Sequence, residues 1–160
     1  AIDKKTPLVA FAAGGGQNLF QGAAALMMMT KTVIGINAVR ANKLPYVIVY
    51  NDKCYGGITA SWAAPGLADY CISEINSFIG FAGKNVVATQ TREILPDSFQ
   101  SSSELIRTGM SDGEFHRKEI NDKIIKILKI LLHKKDAEKE INDEFEATED
   151  NTEVRKKISA

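Results

Sequence analysis

A chain of 160 residues, 44% of them hydrophobic, is long enough to bury one core and too short for two ordinary domains. Twenty Lys plus Arg balance twenty Asp plus Glu, so no net field draws the molecule to nucleic acid or anionic lipid, and aromatic residues do not interleave with any basic patch. Cys54 and Cys71 form no C-x-x-C pair, which argues against a zinc site and suits free thiols in a reducing cytosol, while the apolar runs stop short of the roughly 20 residues of a membrane span.

Ala1-Ile2-Asp3-Lys4-Lys5 does not read as a signal peptide. Pro7-Leu8-Val9-Ala10-Phe11-Ala12 reads as a buried strand entering the tight loop Gly14-Gly15-Gly16. Helix formers dominate from about Leu19 to Ala41, and Leu44-Pro45 stops that helix before the strand Tyr46-Val47-Ile48-Val49-Tyr50. A second glycine pair, Gly56-Gly57, leads into Ile58 to Ala64, one or two helical turns ahead of Pro65. Ala68 to Ser73 and Ser77 to Ala82 are expected as strands, and a helix is expected from about Gly83 to Leu95, closed by Pro96. Hydroxyls of Ser101-Ser102-Ser103 can cap Glu104-Leu105-Ile106-Arg107, and Lys118 to Leu132 is expected as a terminal helix wetted along Lys123, Lys126 and Lys129. Strands alternating with helices imply an α/β fold over residues 1–133. Residues 134–160 carry nine acids and six bases with few apolar residues, the composition of a solvated helix or a disordered tail.

Both glycine loops stand where a strand hands over to a helix, so backbone N–H groups outside any helix ladder can point at an anion. That geometry serves phosphates or the oxyanion of an enolate, and it also serves plain β-α corners that turn tightly. No Lys-Ser or Lys-Thr pair follows the first loop, which excludes a Walker A motif, and Gly14-Gly15-Gly16-Gln17-Asn18-Leu19 lacks the third glycine of a dinucleotide fingerprint. His116 and His133, the only histidines, lie near the charged end and are expected at the surface, so a hydrolase triad has no base in reach. Asp69 and Glu74 flank a strand, as acid and base or as structural strand ends. Lys118 to Lys135 lacks the Trp or Phe anchors of a membrane-surface helix and is expected to pack on its own domain.

Gly15-Gly16 through Gly22 to Ala25-Leu26-Met27-Met28-Met29-Thr30-Lys31-Thr32 resembles the glycine pair, helix and Met-x-Met-Ala-Lys-Thr stretch of the carboxyltransferase β subunits of acetyl-CoA carboxylase. Leu44-Pro45-Tyr46, then Tyr55-Gly56-Gly57-Ile58-Thr59-Ala60-Ser61-Trp62-Ala63, is similar to that family's Leu-Pro-Tyr strand and Thr-Gly-Gly-Val-Ser-Ala-Ser-Phe-Ala. Ile79-Gly80-Phe81-Ala82-Gly83, Arg92-Glu93-Ile94-Leu95-Pro96-Asp97-Ser98-Phe99-Gln100 and Glu104-Leu105-Ile106 to Gly109 follow in the family's order, so the resemblance runs from about Pro7 to Leu132. It departs at Asn18 and Gln21, where the family usually carries Arg and Glu, and the family's zinc ribbon and first crotonase turns have no counterpart.

The resemblance implies a crotonase-type fold of stacked β-β-α turns, incomplete without a further chain that supplies the N-terminal portion. It implies carboxyl transfer from carboxybiotin, borne on a biotin carboxyl carrier protein, to acetyl-CoA, giving malonyl-CoA for fatty acid synthesis, with an α-type subunit as partner and the biotin nitrogen as base. Gly15, Gly16, Gly56 and Gly57 are then the expected backbone oxyanion donors, and Gly80, Phe81, Ala82 and Gly83 an expected acyl-CoA or biotin pocket, with no metal in this chain. Loss of the Arg and Glu also admits a noncatalytic assembly or regulatory subunit of the same fold. Glycine loops stabilise any thioester enolate, so decarboxylation or another acyl group fits the same residues.

Overall fold

The computed structural model describes residues 1–16 and 18–132. The chain divides into two compact units, Ala1–Ile124 and Ile125–Ala160. The proposed tail 134–160 and His133 lie outside the described residues.

Within the first unit the order is β1 (Leu8–Gly14), α1 (Ala23–Ala41), β2 (Tyr46–Cys54), β3 (Tyr70–Glu74), β4 (Phe78–Ile79), α2 (Lys84–Thr91), α3 (Ser102–Arg107) and β5 (Gly113–Phe115). Residues 117–124 of this unit and 125–132 of the other are helical. All strand pairs are parallel, in the order β1-β2-β3-β5, with β4 beside the end of β2. This is α/β architecture.

The Tyr46 to Tyr50 run forms the central strand because every one of its side chains is apolar-bodied and can be covered on both faces. All five residues are fully buried. Tyr46, Ile48 and Tyr50 face one cluster with Ala12, Ile36 of α1, Cys54, Ala63, Cys71, Ile79 and Leu105. Val47 and Val49 point to the opposite face, as strand alternation requires. The two tyrosine hydroxyls do not go unpaired: Tyr46 donates to the Trp62 carbonyl and Tyr50 to the Ala63 carbonyl, each at 2.7 Å. They thereby hold the segment that follows the second glycine loop against the sheet.

After Tyr50 the strand changes partner. Tyr50 aligns with Ser73 of β3, whereas Lys53 and Cys54 align with Phe78 and Ile79 of β4. Between them Asp52 has φ 49°, a left-handed kink that re-aims the end of β2. Glu74, at the end of β3, accepts Asn51 Nδ2 at 2.9 Å and takes Arg117 in a two-pronged pair at 2.6 and 2.9 Å. Asp69 accepts the Tyr46 amide at 2.8 Å. Both acids that flank β3 are therefore structural ties.

Several elements differ from the sequence expectation for local reasons. The first helix starts at Ala23 because Gly22 sits at φ 52°, leaving Leu19–Gln21 as a separate 3-10 turn. The second ends at Thr91, with Arg92 left-handed at φ 58°, four residues before Pro96. The strand expected over Ser77 to Ala82 shrinks to Phe78–Ile79, because β2 offers only Lys53 and Cys54 as partners. β5 had no expected counterpart. Ser101 caps α3 as expected, its Oγ accepting the Glu104 amide at 3.3 Å. Ile120 and Ile124 bury one face of the final helix, and Lys123, expected to be wet, places its ammonium 4.7 Å from the centre of the Phe115 ring. No helix among the described residues is long and apolar enough to cross a membrane.

Two outcomes test this architecture. Tyr50→Phe leaves the buried Ala63 carbonyl without its donor and should lower unfolding stability by about 1 to 3 kcal/mol in urea titration. Arg117, and after it Asn51, hold the Glu74 carboxyl below its usual range. A carboxylate lowered on folding contributes above its unfolded value and loses that contribution as pH falls through the folded one. The stability gap between wild type and Glu74→Gln should thus be full near neutral pH and close as the solution is taken below about pH 4.

Candidate active site at the two glycine loops

The parallel strands end on the same side, and both glycine loops leave from that end. Gly14 aligns with Cys54, and the Gly14 carbonyl accepts the Tyr55 amide at 2.9 Å, so the two loops start hydrogen-bonded to each other. Their backbones then touch. A Cβ placed on Gly56, which has φ 69°, would lie 2.9 Å from the Gly16 Cα and 3.5 Å from the Gly15 carbonyl oxygen. A Cβ on Gly16 would lie 3.6 Å from the Gly56 Cα and 4.0 Å from the Gly57 nitrogen. Glycine is required at Gly56 on two grounds, space and backbone sign.

The four expected donors are thus brought together, and their amides are differently placed. Gly56 N–H donates to the Phe81 carbonyl at 2.8 Å and is engaged inside the protein. Among the described residues, the amides of Gly15, Gly16 and Gly57 make no hydrogen bond. Gly57 is buried, while Gly15 and Gly16 are exposed. A buried amide without an acceptor is uncommon in a folded protein.

The segment 80–83 sits against the second loop. Gly80 N–H donates to the Cys54 carbonyl at 3.1 Å, and the Gly80 carbonyl accepts the Thr59 hydroxyl at 2.9 Å. A Cβ on Gly80 would fall 2.2 Å from Gln100 Nε2, so a side chain there would displace the end of Gln100. That amide nitrogen donates to the Ala82 carbonyl at 2.8 Å, and Gln100 itself is held at φ 64°. Phe81 is 71% exposed, its ring directed away from the core. Gly83 lines a cleft of about 230 Å³ with Lys53, Tyr55, Lys84, Asn85 and Val86. Thr59 and Gln100 lie within family-like stretches of the sequence and Lys53 just before the second glycine pair, but the contacts that join Thr59 to Gly80 and Gln100 to Ala82 are spatial and have no local signal.

Titrating side chains contribute little here. Burial pushes the Cys54 thiol up to about 11, and burial followed by the nearby Asp112 charge does the same for Cys71. Both are poor nucleophiles at neutral pH. Burial likewise raises Tyr46 and Tyr50 well above the ordinary phenol range. His116 is exposed, as expected. Asn18, at one of the altered family positions, uses its Oδ1 to accept the Phe20 amide at 3.1 Å and so caps the 3-10 turn. Among the described residues no cluster of three His, Cys, Asp or Glu could hold a metal.

No family model matches the chain. Its sequence is 39% identical over 160 residues to acetyl-coenzyme A carboxylase carboxyl transferase subunit beta of Pelagibacter ubique (strain HTCC1062), covering 99% of this chain and 50% of that one. It is 40% identical over 132 residues to the subunit of the same name from Caulobacter vibrioides (strain NA1000 / CB15N), covering 82% of this chain and 42% of that one. This chain is a relative of the carboxyl transferase beta subunits. It spans about half the length of the beta subunits it matches. Two solved structures share the fold, which is crotonase-type. One is a transcarboxylase 12S structure with methylmalonyl-coenzyme A and methylmalonic acid bound, with TM-score 0.67 and 21% identity over 79% of this chain and 24% of that one. The other is the Pseudomonas malonate decarboxylase MdcD-MdcE hetero-dimer, with TM-score 0.62 and 17% identity over 75% of this chain and 52% of that one.

If the loop contact shapes the site of this beta-subunit relative, Gly56→Ala should be costly in a specific way. The methyl must push Gly16 aside and the residue must hold a positive φ, so ligand binding or turnover should fall by more than about tenfold while far-ultraviolet circular dichroism stays near wild type.

Proposed function

We propose that this chain works in a biotin-dependent acetyl-CoA carboxylase as part of its carboxyltransferase, with the two glycine loops as the oxyanion site. The observation that supports it is the close backbone contact at Gly16 and Gly56, next to which the Gly16 and Gly57 amides have no acceptor among the described residues. In the reaction, carboxyl leaves N1 of carboxybiotin for the methyl carbon of acetyl-CoA, and the methyl proton passes to that nitrogen, giving malonyl-CoA. What this chain must do is narrower. Two fixed N–H dipoles aimed at a thioester oxygen stabilise the enolate that forms when the methyl loses its proton, at roughly 2.7 to 4 kcal/mol per donor in a dry site. Gly57 and Gly16 take that role. Gly56, whose own amide is held by Phe81, fixes the loop, and Gly15 lends its carbonyl to the crowding.

Gly83 and the adjoining Lys53 and Lys84 give the site an approach suited to the phosphates of an acyl-CoA, which is how the 80–83 segment enters the reading. The surface also argues for company. α1 buries Ala25, Ile36 and Val39, yet Leu26, Met27 and Ile34 on its other sides are 62%, 67% and 63% exposed. β1 pairs only with β2 among the described residues, and Phe11 on it is 57% exposed. An open edge beside an apolar face is covered in a working protein. We assign that cover to the portion of the beta subunit that this chain does not span and to an α-type subunit, with a biotin carboxyl carrier protein visiting the cytosolic complex.

Native mass spectrometry of this chain purified gently from its source, followed by an assay of biotin-dependent malonyl-CoA formation, tests the reading. A complex with an α-type subunit and turnover is expected. A folded chain that runs alone and forms no malonyl-CoA would replace the enzyme with a binding or regulatory protein of the same fold.

A further inference from the structure

The direction of the Gly57 N–H is set by the peptide plane it shares with the Gly56 carbonyl, because a trans peptide points the two groups opposite ways. Whatever grips the Gly56 carbonyl therefore aims the Gly57 donor. Two groups grip it: the Ala60 amide at 3.1 Å and the Thr59 hydroxyl at 3.0 Å. The same hydroxyl lies 2.9 Å from the Gly80 carbonyl. Phe81, the next residue, accepts the Gly56 amide at 2.8 Å. The peptides on both sides of Gly56 are thus tied to one short segment, the forward one through a single side-chain oxygen.

We propose that Thr59 is a positioning residue for the oxyanion donor: its hydroxyl, shared between the Gly56 and Gly80 carbonyls, holds the 56–57 peptide in the plane that presents Gly57 N–H to the substrate. The inference rests on the reading of the glycine loops as an oxyanion site. The one hydroxyl lies within reach of both acceptors, so it draws the two carbonyls toward one point and keeps the second glycine loop and the 80–83 segment at fixed spacing. The Ala60 bond alone cannot do this. It lies within the same turn and moves with it, whereas Thr59 connects that turn to the segment that follows β4. Thr59 touches no reacting atom in this arrangement and acts only through the peptide it holds.

The test compares Thr59→Val, which replaces the hydroxyl by a methyl of similar size, with Thr59→Ser, which keeps the hydroxyl, in the full chain assembled with its subunits. Loss of a whole oxyanion donor costs about 10²- to 10³-fold in kcat, so a donor left in place and badly aimed should cost about 10- to 100-fold. Thr59→Val should show that fall in kcat with KM for acetyl-CoA within about twofold, and Thr59→Ser should recover most of it. Amide hydrogen exchange supplies a readout that needs no turnover. The peptide spanning residues 55–61 should exchange faster in Thr59→Val than in wild type, and Thr59→Ser should restore its protection. Wild-type kcat in Thr59→Val, a loss confined to KM, an equal loss in Thr59→Ser, or unchanged exchange in Thr59→Val each overturns the assignment. A wild-type complex without transferase activity would instead remove the oxyanion reading, while the exchange comparison still decides whether Thr59 orders the loop.

Discussion

Two stretches of main chain meet at Gly16 and Gly56 more closely than any pair carrying side chains could. The contact leaves 2.9 Å between the Gly16 Cα and the place a Cβ on Gly56 would occupy, and it forms where the pairing of β1 with β2 slips, Ala12 lying opposite Tyr50 but Gly14 opposite Cys54, so that both loops leave together. The Tyr55 amide on the Gly14 carbonyl secures the shifted alignment, and the positive φ of Gly56 turns the second loop. Backbone amides become useful donors at such a place because nothing bulky stands between them and a ligand.

β2 carries the rest of the arrangement. Its first five residues are clamped in the core, and the two tyrosine hydroxyls among them reach out to carbonyls of the turn that follows Gly57. Its last two residues abandon β3 for β4 across the kink at Asp52. That change of partner brings the 80–83 segment beside the second glycine loop, where the Phe81 and Gly80 carbonyls meet Gly56 and Thr59. Glu74, holding Asn51 on one side and Arg117 on the other, braces the strand just before it turns. The handover delivers both glycine loops to one edge of the sheet, at the carboxyl ends of the parallel strands, which is where ligands bind in open α/β sheets as a class.

The readable parts of this molecule were those written in consecutive residues. The unbroken apolar run of β2, the glycine pairs and the serine cap of α3 announce themselves because each is satisfied locally. Gly22 was harder, since a glycine inside a helix-forming stretch is tolerated as often as it breaks one, and only its φ of 52° separates α1 from the 3-10 turn. β5 has three residues and exists because β3 leaves an edge for it, which no local pattern records. Within the site the glycines were legible as a group, yet their division of labour was not. That Gly56 gives its amide to Phe81 while the Gly57 amide makes no bond among the described residues depends on β4 arriving from 25 residues further along. The charged stripe was legible as well: Lys126 and Lys129 are exposed, and half-buried Lys123 adds a contact over the Phe115 ring that no local pattern records.

Among the described residues, the groups in and around the central strands whose pKa is clearly shifted are all moved away from neutrality. The thiols of Cys54 and Cys71 are held protonated by burial, Glu74 is held ionised by Arg117, and the Tyr46 and Tyr50 hydroxyls donate to carbonyls. A peptide dipole has no proton to lose and no charge state to change, so its strength as a donor depends on direction and dryness alone. Selection on such a site acts on geometry. Under that condition the residues that matter most beyond the glycines are the ones that fix peptide planes, and a hydroxyl such as that of Thr59 can influence the chemistry more than a charged side chain placed at the same distance.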